Sequence, residues 1–493
     1  MKSCVFLYAV QKGDFADQAW FNGASAREKS AAWAKKVDSC KAIDVIETEM
    51  SLCALLRRMD RVLTENGADF AVYAWADCPF LNSRLTSELI ALHTKYKAEY
   101  TFADGYPYGL TPELIDAGTV RILAQLASSK SEFSDEALKR DSLFSLIKTD
   151  INSFEIETFI APEDYRYLRL DLSCSSVRSS MACRRLGALC ADTEDADLLC
   201  ETARKSAEVQ RTLPTFYNVH IHSDGKAESI YEPSVPAAAM ELVNFKKFLD
   251  EAASFSPDAV VGLSFLGEPS RHADFILFAE EVLKRPEFSL LIETDAQSLS
   301  PQAIERIHTA AGKNPLRGTG YKAVNWIVKL DACDEATYKS IRSSGTLAAA
   351  EQAVHVLKPL FPNAVYPQML RMKCNEDQLE RFYRKWKADG TGELIIQKYD
   401  SISGFLEDRR PADLSPAVRI PCWHIKRDLC ILADGRVPRC KAAVFCSHDF
   451  YGNAFTDGLE SVWNKGNAEL QKQLNGVYAG DCGKSDEYYT FNF

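Results

Sequence analysis

Two short apolar runs in the first third of the chain have the pattern of buried strands. Residues 4–10 and 68–74 are almost continuously apolar, as expected of parallel strands that are covered on both faces. Between them, Ile43 to Asn66 places apolar residues at helical spacing and predicts a helix. Residues 182–210 also have a helical pattern. This alternation predicts an α/β sheet, whose ligands bind at the carboxyl ends of its strands.

The same alternation continues after Leu213. A first strand is predicted over residues 217–222. Further strands are predicted at 259–265, 289–293, 325–331, 364–372 and 393–398, with helices near 239–254, 273–285, 301–312, 346–358 and 376–388. Repeated strand–helix units predict a parallel sheet or a partial barrel, with functional groups at the C-terminal ends of the strands.

Composition and charge argue against a nucleic-acid-binding protein and against a membrane-spanning one. The 493 residues are 46% hydrophobic and 26% charged, and the formal net charge of −11 argues against a nucleic-acid surface. No apolar run approaches the roughly 18 residues that a membrane span needs. The chain start is predicted to be a buried strand rather than a signal peptide. Fifteen scattered cysteines without an export signal favour a reducing, cytoplasmic location over a disulfide framework.

The last 72 residues carry a third of the cysteines. They are Cys422, Cys430, Cys440, Cys446 and Cys482. Twelve residues separate Cys422 from Gly435, and four separate Gly435 from Cys440. Because glycine permits a sharp turn, thiolates on either side can approach one inorganic centre. A zinc site and a set of buried thiols are the alternative interpretations.

This spacing resembles the SPASM or twitch module, the C-terminal cap of many radical S-adenosylmethionine (SAM) enzymes. Gly452-Asn453 and a helical segment with Trp463 follow in the family's order. The family's central C-x2-C-x5-C-x3-C block is absent, and Ser485 stands where a second cysteine often follows Cys482. The resemblance implies one four-iron cluster at most. Its implied ligands are Cys422, Cys440, Cys446 and Cys482, with Cys430 in reserve.

The predicted strand ends in residues 210–410 resemble radical SAM motifs. Gly267-Glu268-Pro269 resembles the Gly-Gly-Glu-Pro motif, which holds the amino group of SAM, and Lys329-Leu330-Asp331 resembles a Ser-Leu-Asp-Gly strand end. The resemblance implies ligand binding at Gly267, Glu268 and Asp331. The family's C-x3-C-x2-C motif is nowhere in the chain. Because no thiolates hold a reducing cluster there, SAM cleavage is not expected.

A different metal site is chemically possible at the first predicted strand of this region. His220 and His222 alternate along it, and Asp224 follows. Alternating residues share one face of a strand, and two imidazoles with a carboxylate can hold zinc or Fe(II). The alternative is that each histidine is a hydrogen-bonded barrel residue.

Asp77 follows the second buried run, at the expected ligand-binding edge of the sheet. Together with the stretches 105–110, 154–156 and 168–172, Asp77-Cys78-Pro79 resembles the cytidylyltransferase-like branch of the glycosyltransferase-A fold. The resemblance implies that Asp77 holds Mg²⁺ against nucleotide phosphates. The loop 11–15 has one glycine where the family has a glycine-rich phosphate cradle. The structural alternative is a turn-forming role for Asp77.

These three parts, in this order, resemble the spiro-SPASM family. We expect an α/β protein with a nucleotidyltransferase-like domain (1–195), a degenerate radical SAM-like partial (β/α) barrel of TIM type (210–410) and a SPASM-like module (418–493). The expected function is that of an iron–sulfur pseudoenzyme that binds a small molecule or a protein or peptide partner. One alternative is a CTP-dependent sugar nucleotidyltransferase of surface-polysaccharide metabolism, and the other is a non-catalytic scaffold.

Overall fold

The computed structural model describes residues 1–10, 13–190, 193–313, 315, 317–318, 320–388, 393–412 and 418–485. The chain divides into two compact units, Met1–Thr212 and Leu213–Phe493. Residues 11 and 12 of the predicted phosphate loop and residues 486–493 lie outside the described residues. Among the helices that the structure describes, none combines the length and apolar character required to cross a bilayer.

The first unit is built on a mixed six-stranded sheet. Its strands are β1 (Ser3–Tyr8), β2 (Cys40–Ile46), β3 (Phe70–Trp75), β4 (Tyr100–Asp104), β5 (Glu113–Asp116) and β6 (Ile156–Ile160), in the order β2-β1-β3-β5-β4-β6. Its helices are α1 (Ala26–Ala34), α2 (Leu52–Asn66), α3 (Ser83–Tyr96), α4 (Ala117–Ser128), α5 (Ser131–Ser134), α6 (Ser142–Lys148), α7 (Val177–Leu189), α8 (Ala196–Lys205) and α9 (Ala207–Gln210). The buried strands β1 and β3 pair in parallel, which confirms that prediction.

The predicted helix over Ile43 to Asn66 is wrong in its first part. Residues Cys40–Ile46 form β2 at the edge of the sheet, where burial alternates and Ile43 remains 39% exposed. The helix begins only at Leu52, because the Ser51 side chain accepts a hydrogen bond from the backbone N–H of Ala54 and caps it. The helical prediction over 182–210 is confirmed within the described residues by the end of α7 and by α8 and α9.

The second unit contains a parallel sheet of seven strands. They are β7 (Phe216–Val219), β10 (Ala259–Leu263), β11 (Phe288–Thr294), β12 (Val324–Lys329), β13 (Val365–Arg371), β14 (Ile395–Lys398) and β15 (Asp428–Ile431), in the order β14-β13-β12-β11-β10-β7-β15. All neighbouring pairs are parallel. The sheet curls into a half-barrel, which confirms the predicted partial barrel at the level of architecture.

Helices and two small ribbons complete this unit. The helices are α10 (Leu242–Phe255), α11 (Phe275–Leu283), α12 (Pro301–Lys313), α13 (Glu335–Ile341), α14 (Leu347–Leu360), α15 (Leu379–Ala388), α16 (Trp423–Arg427), α17 (Lys441–Phe445) and α18 (Leu459–Leu474). The ribbons pair β8 (His222–Ser223) with β9 (Ala238–Ala239), and β16 (Arg436–Pro438) with β17 (Phe450–Asn453).

One core spans the half-barrel and its C-terminal segment. Trp326 of β12 and Phe278 of α11 are buried in the same apolar cluster as Ile431 of β15 and Trp463 of α18. Burial of side chains of this size is a main source of stability. The C-terminal segment therefore packs as part of the half-barrel.

Candidate functional site

A cavity of about 160 Å³ lies within the curl of the half-barrel. Apolar residues line its lower part: Phe216, Leu291, Ile327 and Ile395. One polar side chain from each strand, or from the residue just after it, forms a layer above them, which we call the polar layer: Asn218, Ser264, Glu293, Lys329, Gln368, Gln397 and Cys430. Because side chains two positions apart share a face of a strand, the two layers follow from the strand pattern. The polar layer offers hydrogen-bonding groups to a small polar ligand.

Lys329 is the central charge of the polar layer. Its Nζ lies 2.7 Å from Oε1 of Glu232 and 3.5 Å from Oε1 of Glu293. Burial opposes ionisation of Glu232, but the charges of Lys329 and Arg342 outweigh burial and lower the pKa of Glu232 to about 2. Lys329 is thus held as an ammonium ion, so it serves here as a fixed cation and not as a nucleophile.

Asp331, a predicted ligand-binding residue, lies just beyond β12 and is fully buried. Its Oδ2 accepts hydrogen bonds from the Tyr231 hydroxyl at 2.6 Å and from Arg342 Nη1 at 3.0 Å. Its Oδ1 accepts the backbone N–H of Leu370 at 2.9 Å. Both carboxylate oxygens have protein partners, so Asp331 joins the strand ends to the segment that follows β7.

Glu268 is buried at the end of β10 and is also fully engaged. Its Oε1 accepts hydrogen bonds from Ser270 Oγ at 2.7 Å and from Thr294 Oγ1 at 2.5 Å, and its Oε2 accepts the N–H of Asp295 at 2.8 Å. Burial and the neighbouring charge of Asp295 raise the pKa of Glu268 to about 7. The structure brings Glu268, Gly267 and Asp331 to the same end of the sheet, but the carboxylates bind the protein itself.

The raised pKa of Glu268 predicts a pH-dependent stability. Between pH 4.5 and 7 the folded protein binds more protons than the unfolded chain, so stability falls as pH rises through this window. Glu268→Gln removes this dependence. The free energy of unfolding of Glu268→Gln minus that of the wild type is therefore expected to increase by about 3 kcal/mol as the pH rises from 4.5 to 7. Urea unfolding at several pH values measures this difference. The control Glu305→Gln, on the exposed face of α12, should keep the wild-type dependence, and an unchanged slope in Glu268→Gln would contradict the prediction.

Gly267 has a geometric role at the same strand end. Its φ is +70°, and a Cβ at this position would stand 2.1 Å from the carbonyl oxygen of His222. Only glycine lets the two backbone segments approach so closely. Gly267 thus seats the segment after β7 against the end of β10.

The predicted pair of histidines is not on one strand. The strand β7 ends at Val219, and His222 belongs to β8 instead. His222 Nε2 lies 2.9 Å from Oδ1 of Asp224, whose Oδ2 accepts a hydrogen bond from Arg271. His220 is buried separately, and burial lowers its pKa to about 4. The structure therefore joins His222 to Asp224 but leaves His220 out of that group.

Three of the five C-terminal cysteines line one small cavity of about 30 Å³, which we call the thiol cavity. They are Cys422, Cys440 and Cys482, and Ser485 lies in the same lining. Cys430 belongs to the polar layer instead, and Cys446 is exposed with its Sγ 3.6 Å from the Ile402 carbonyl. The predicted ligand set is thus divided among three places.

Arg439 is the buried cation of the thiol cavity. Its Nη1 donates a hydrogen bond to Cys482 Sγ at 3.0 Å, and its Nη2 binds both carboxylate oxygens of Asp481. Burial raises the pKa of the Cys482 thiol, and the guanidinium acts in the opposite direction. Arg439, Cys440 and His424 line both the thiol cavity and the half-barrel cavity. These three residues therefore form a shared wall.

The thiol cavity places three thiols and a buried cation in one lining. Across the described parts of the chain, no group of three or more His, Cys, Asp or Glu side chains is arranged to hold one metal ion. Three thiols around one cavity, with a buried cation beside them, suit an anionic cluster in their donor chemistry and charge.

Asp77 lies just beyond β3 and is fully buried. Its two carboxylate oxygens accept hydrogen bonds from Arg140 Nη1, at 3.3 Å, and from Nη2. The guanidinium also lies over the rings of Trp75 and Tyr108, 4.4 and 5.1 Å from their centroids. Asp171 is near this pair, and burial raises its pKa. A Mg²⁺ ion at Asp77 requires Arg140 to leave the carboxylate, so magnesium binding there stays a prediction.

Comparison with known sequences gives a clear relative. No family model matches the chain. Over 363 residues the chain is 38% identical to an uncharacterized protein of Treponema pallidum (strain Nichols), in an alignment that covers 71% of this chain and 98% of that protein. The chain belongs to the family of this treponemal protein. A second uncharacterized protein of the same organism is 49% identical over 51 residues, which are 10% of this chain and 23% of that protein.

Comparison with solved structures gives more distant similarities. Streptococcus suis SuiB bound to S-adenosylmethionine has a TM-score of 0.42 at 12% sequence identity. The match covers 56% of this chain and 72% of the SuiB chain. BtrN in complex with AdoMet and 2-DOIA has a TM-score of 0.35 at 17% identity, with coverages of 57% and 94%. A cytidylyltransferase from Leptospira borgpetersenii has a TM-score of 0.35 at 11% identity, with coverages of 42% and 96%. The fold assignment for this member of the treponemal family rests on the order of the strands and on their parallel pairing.

Arg140 and His424 are among the candidate-site residues that the sequence did not single out. Arg140 lies in no motif and meets Asp77 from 63 positions away, so only the fold reveals the pair. His424 had a readable signal, because it follows Cys422 by two residues and precedes Asp428 by four. On a helical turn, residues four apart are neighbours, and the Nδ1 of His424 is 2.6 Å from Oδ2 of Asp428.

Proposed function

We propose that the second unit is an iron–sulfur protein that binds a small polar molecule, or the polar end of a peptide, in its half-barrel cavity without cleaving SAM. The observation that carries this proposal is the thiol cavity. Cys422, Cys440 and Cys482 are separated by up to sixty positions in the sequence, yet they line one cavity beside a buried arginine. Its wall is shared with the half-barrel cavity.

The cluster would be held by the thiolates of Cys422, Cys440 and Cys482. When bound, such a cluster supplies one-electron transfer. Arg439 donates a hydrogen bond to Cys482 Sγ, and hydrogen bonds to cluster sulfur tune the reduction potential. Cys446 and Cys430 face other surroundings, so we propose three protein thiolates rather than the four that the resemblance implies.

The half-barrel is proposed to bind rather than to reduce SAM. The chain lacks the C-x3-C-x2-C motif, and the segment after β7 makes different contacts. Tyr231 of this segment binds Asp331, and Glu232 binds Lys329. Because the carboxylate of Glu232 balances the charge of the Lys329 ammonium group, the amides of the polar layer are suited to an uncharged or zwitterionic ligand.

Iron and sulfide content tests the proposal directly. Protein purified without oxygen is expected to contain about four irons and four sulfides per chain, and Cys440→Ala is expected to lose most of both because it removes one of three thiolates. The matched control is Cys446→Ala. Since Cys446 is exposed and outside the thiol cavity, this variant should keep the wild-type iron and sulfide.

Other results of this measurement are equally informative. Equal loss of iron from both variants would show that the thiol cavity is not the site. Zinc in place of iron and sulfide would replace the cluster by a single-ion site. A wild-type protein without metal would leave the thiol cavity as a structural feature and reject the proposal.

A further inference from the structure

The outer edge of β2, in the first unit, has no partner strand among the described residues. The strand β2 ends the sheet and is paired only with β1. The carbonyl oxygen of Ile46 accepts a hydrogen bond at 2.8 Å from the N–H of Ala9, which follows β1. Successive residues of a strand direct their backbone groups to opposite edges, so the N–H and C=O groups of Ile43 and Val45 point to the open edge. An edge of this kind can pair with a further strand.

The side chains of β2 alternate between a packed face and an exposed face. Ala42 and Ile46 pack in the apolar cluster that includes α2. Lys41, Ile43 and Val45 are exposed on the opposite face, where Ile43 is 39% and Val45 42% exposed. The open edge therefore combines unpaired backbone groups with two exposed apolar side chains.

We infer that this edge pairs with the same edge of a second copy of the chain, so that the two sheets become continuous. A two-fold axis joins identical surfaces and makes the two β2 strands antiparallel. With the axis at Asp44, Ile43 lies opposite the second copy's Val45, and Lys41 lies opposite the second copy's Glu47. The symmetry forms each of these pairs twice. The apolar pairs also exchange backbone hydrogen bonds, since both residues direct their N–H and C=O groups to the edge.

The two neighbouring registers lack this complementarity. Moving the axis to Ile43 places Lys41 opposite Val45, and moving it to Val45 places Ile43 opposite Glu47. Each of these pairs sets a charged side chain against an apolar one. Of the three registers, only the axis at Asp44 joins apolar to apolar and cation to carboxylate, and both kinds of cross-strand pair are stabilising. This self-complementarity favours a second copy as the occupant of the edge.

The charges near this axis also allow the pairing. Asp44 meets its own equivalent there, but both of its carboxylate oxygens accept hydrogen bonds from Arg58 at 2.7 Å. Each like charge is thus balanced within its own chain. Glu47 is 74% exposed, and its ion pair with Arg27 Nη1 is long, at 4.0 Å. Such an exposed pair contributes little, so the Glu47 carboxylate is available to Lys41 of the second copy.

Sedimentation equilibrium of the full-length protein tests the inference. The wild type is expected to dimerise reversibly. Val45→Lys is expected to raise the dissociation constant of the dimer at least about tenfold, because it places a charge opposite Ile43. The matched control is Ile160→Lys. Ile160 is an exposed apolar residue of β6, the strand at the other edge of the same sheet, so this variant should dimerise as the wild type does.

Charge reversal tests the register. Lys41→Glu and Glu47→Lys each place like charges opposite one another, and each is expected to raise the dissociation constant about tenfold. The double variant should recover the wild-type value. An equal mixture of the two single variants should form heterodimers, because both pairs then join opposite charges. Damage to the fold of each monomer would not be repaired by mixing.

Three results would overturn the inference. The first is a wild type that remains a monomer at every concentration measured. The second is a dimer that Val45→Lys leaves intact, or that Ile160→Lys dissociates instead. The third is a mixture of the charge-reversed variants without heterodimers. Should Val45→Lys fail to fold, the charge-reversed variants still decide the question, since both of their positions are exposed.

Discussion

Replacing Arg342 with alanine is expected to lower the free energy of unfolding by about 3–5 kcal/mol. Arg342 is almost completely buried and pairs with Asp331, whose side chain has no exposure. Its Nη1 also donates to the Tyr231 hydroxyl at 2.6 Å. Without the guanidinium, a buried carboxyl group is left without its cation partner, and that arrangement is costly in a low-dielectric interior. Urea unfolding followed by circular dichroism measures the change.

A surface pair in the same half-barrel supplies the control. Arg381 Nη2 lies 2.9 Å from Oδ2 of Asp334, but both side chains are about half exposed, at 58% and 42%. Arg381→Ala is expected to cost less than about 1 kcal/mol. Replacing both Asp331 and Arg342 should lower the free energy of unfolding by less than the two single replacements added together. Each single replacement leaves a buried group unpaired, whereas the double replacement removes both partners. Equal costs for Arg342→Ala and Arg381→Ala would contradict the buried pairing.

Gly267→Ala is expected to destabilise the second unit by more than about 3 kcal/mol, from two effects that add. Left-handed backbone costs an L-residue about 1–2 kcal/mol, and the φ of Gly267 is +70°. In addition, the new methyl group would stand 2.1 Å from the carbonyl oxygen of His222, so the segment after β7 must shift. Thermal and urea unfolding should both report the loss.

Gly320 separates these two effects. Its φ is +71°, almost the same as that of Gly267, but an added Cβ would meet nothing within 4 Å. Gly320→Ala should therefore cost only the backbone strain, about 1–2 kcal/mol. The difference between the two variants measures the close approach to His222. If both variants lose the same stability, the segment after β7 is not packed against Gly267 as described.

The sequence was informative about the elements and less so about their edges. Continuous apolar runs identified β1, β3 and most strands of the half-barrel, because parallel strands are buried on both faces. The pattern failed at Ile43 to Ile46, an edge strand with one exposed face. There the local sequence is compatible with helix or strand, and pairing with β1 decides the outcome.

The candidate site was predictable only in part, because contacts between residues distant in the sequence bring its side chains together. Spacing alone grouped five cysteines, whereas the fold sends Cys430 into the half-barrel cavity because alternate residues of β15 face it. The polar layer is formed by one residue from each strand, so no local window of sequence contains it. Gly267, Glu268 and Asp331 were correctly expected at strand ends, but their engagement with Tyr231, Thr294 and Arg342 depends on contacts distant in the sequence.

The pairing of β15 with β7 has a consequence for synthesis of the chain on the ribosome. Phe216 of β7 is opposite Asp428, more than two hundred residues later. Until that later stretch emerges, the nascent half-barrel has β7 as an unpaired edge, a state open to wrong partners. Closing such a distant contact is also slow. A chain that stops before residue 428 is therefore expected to need chaperone protection that the finished chain does not.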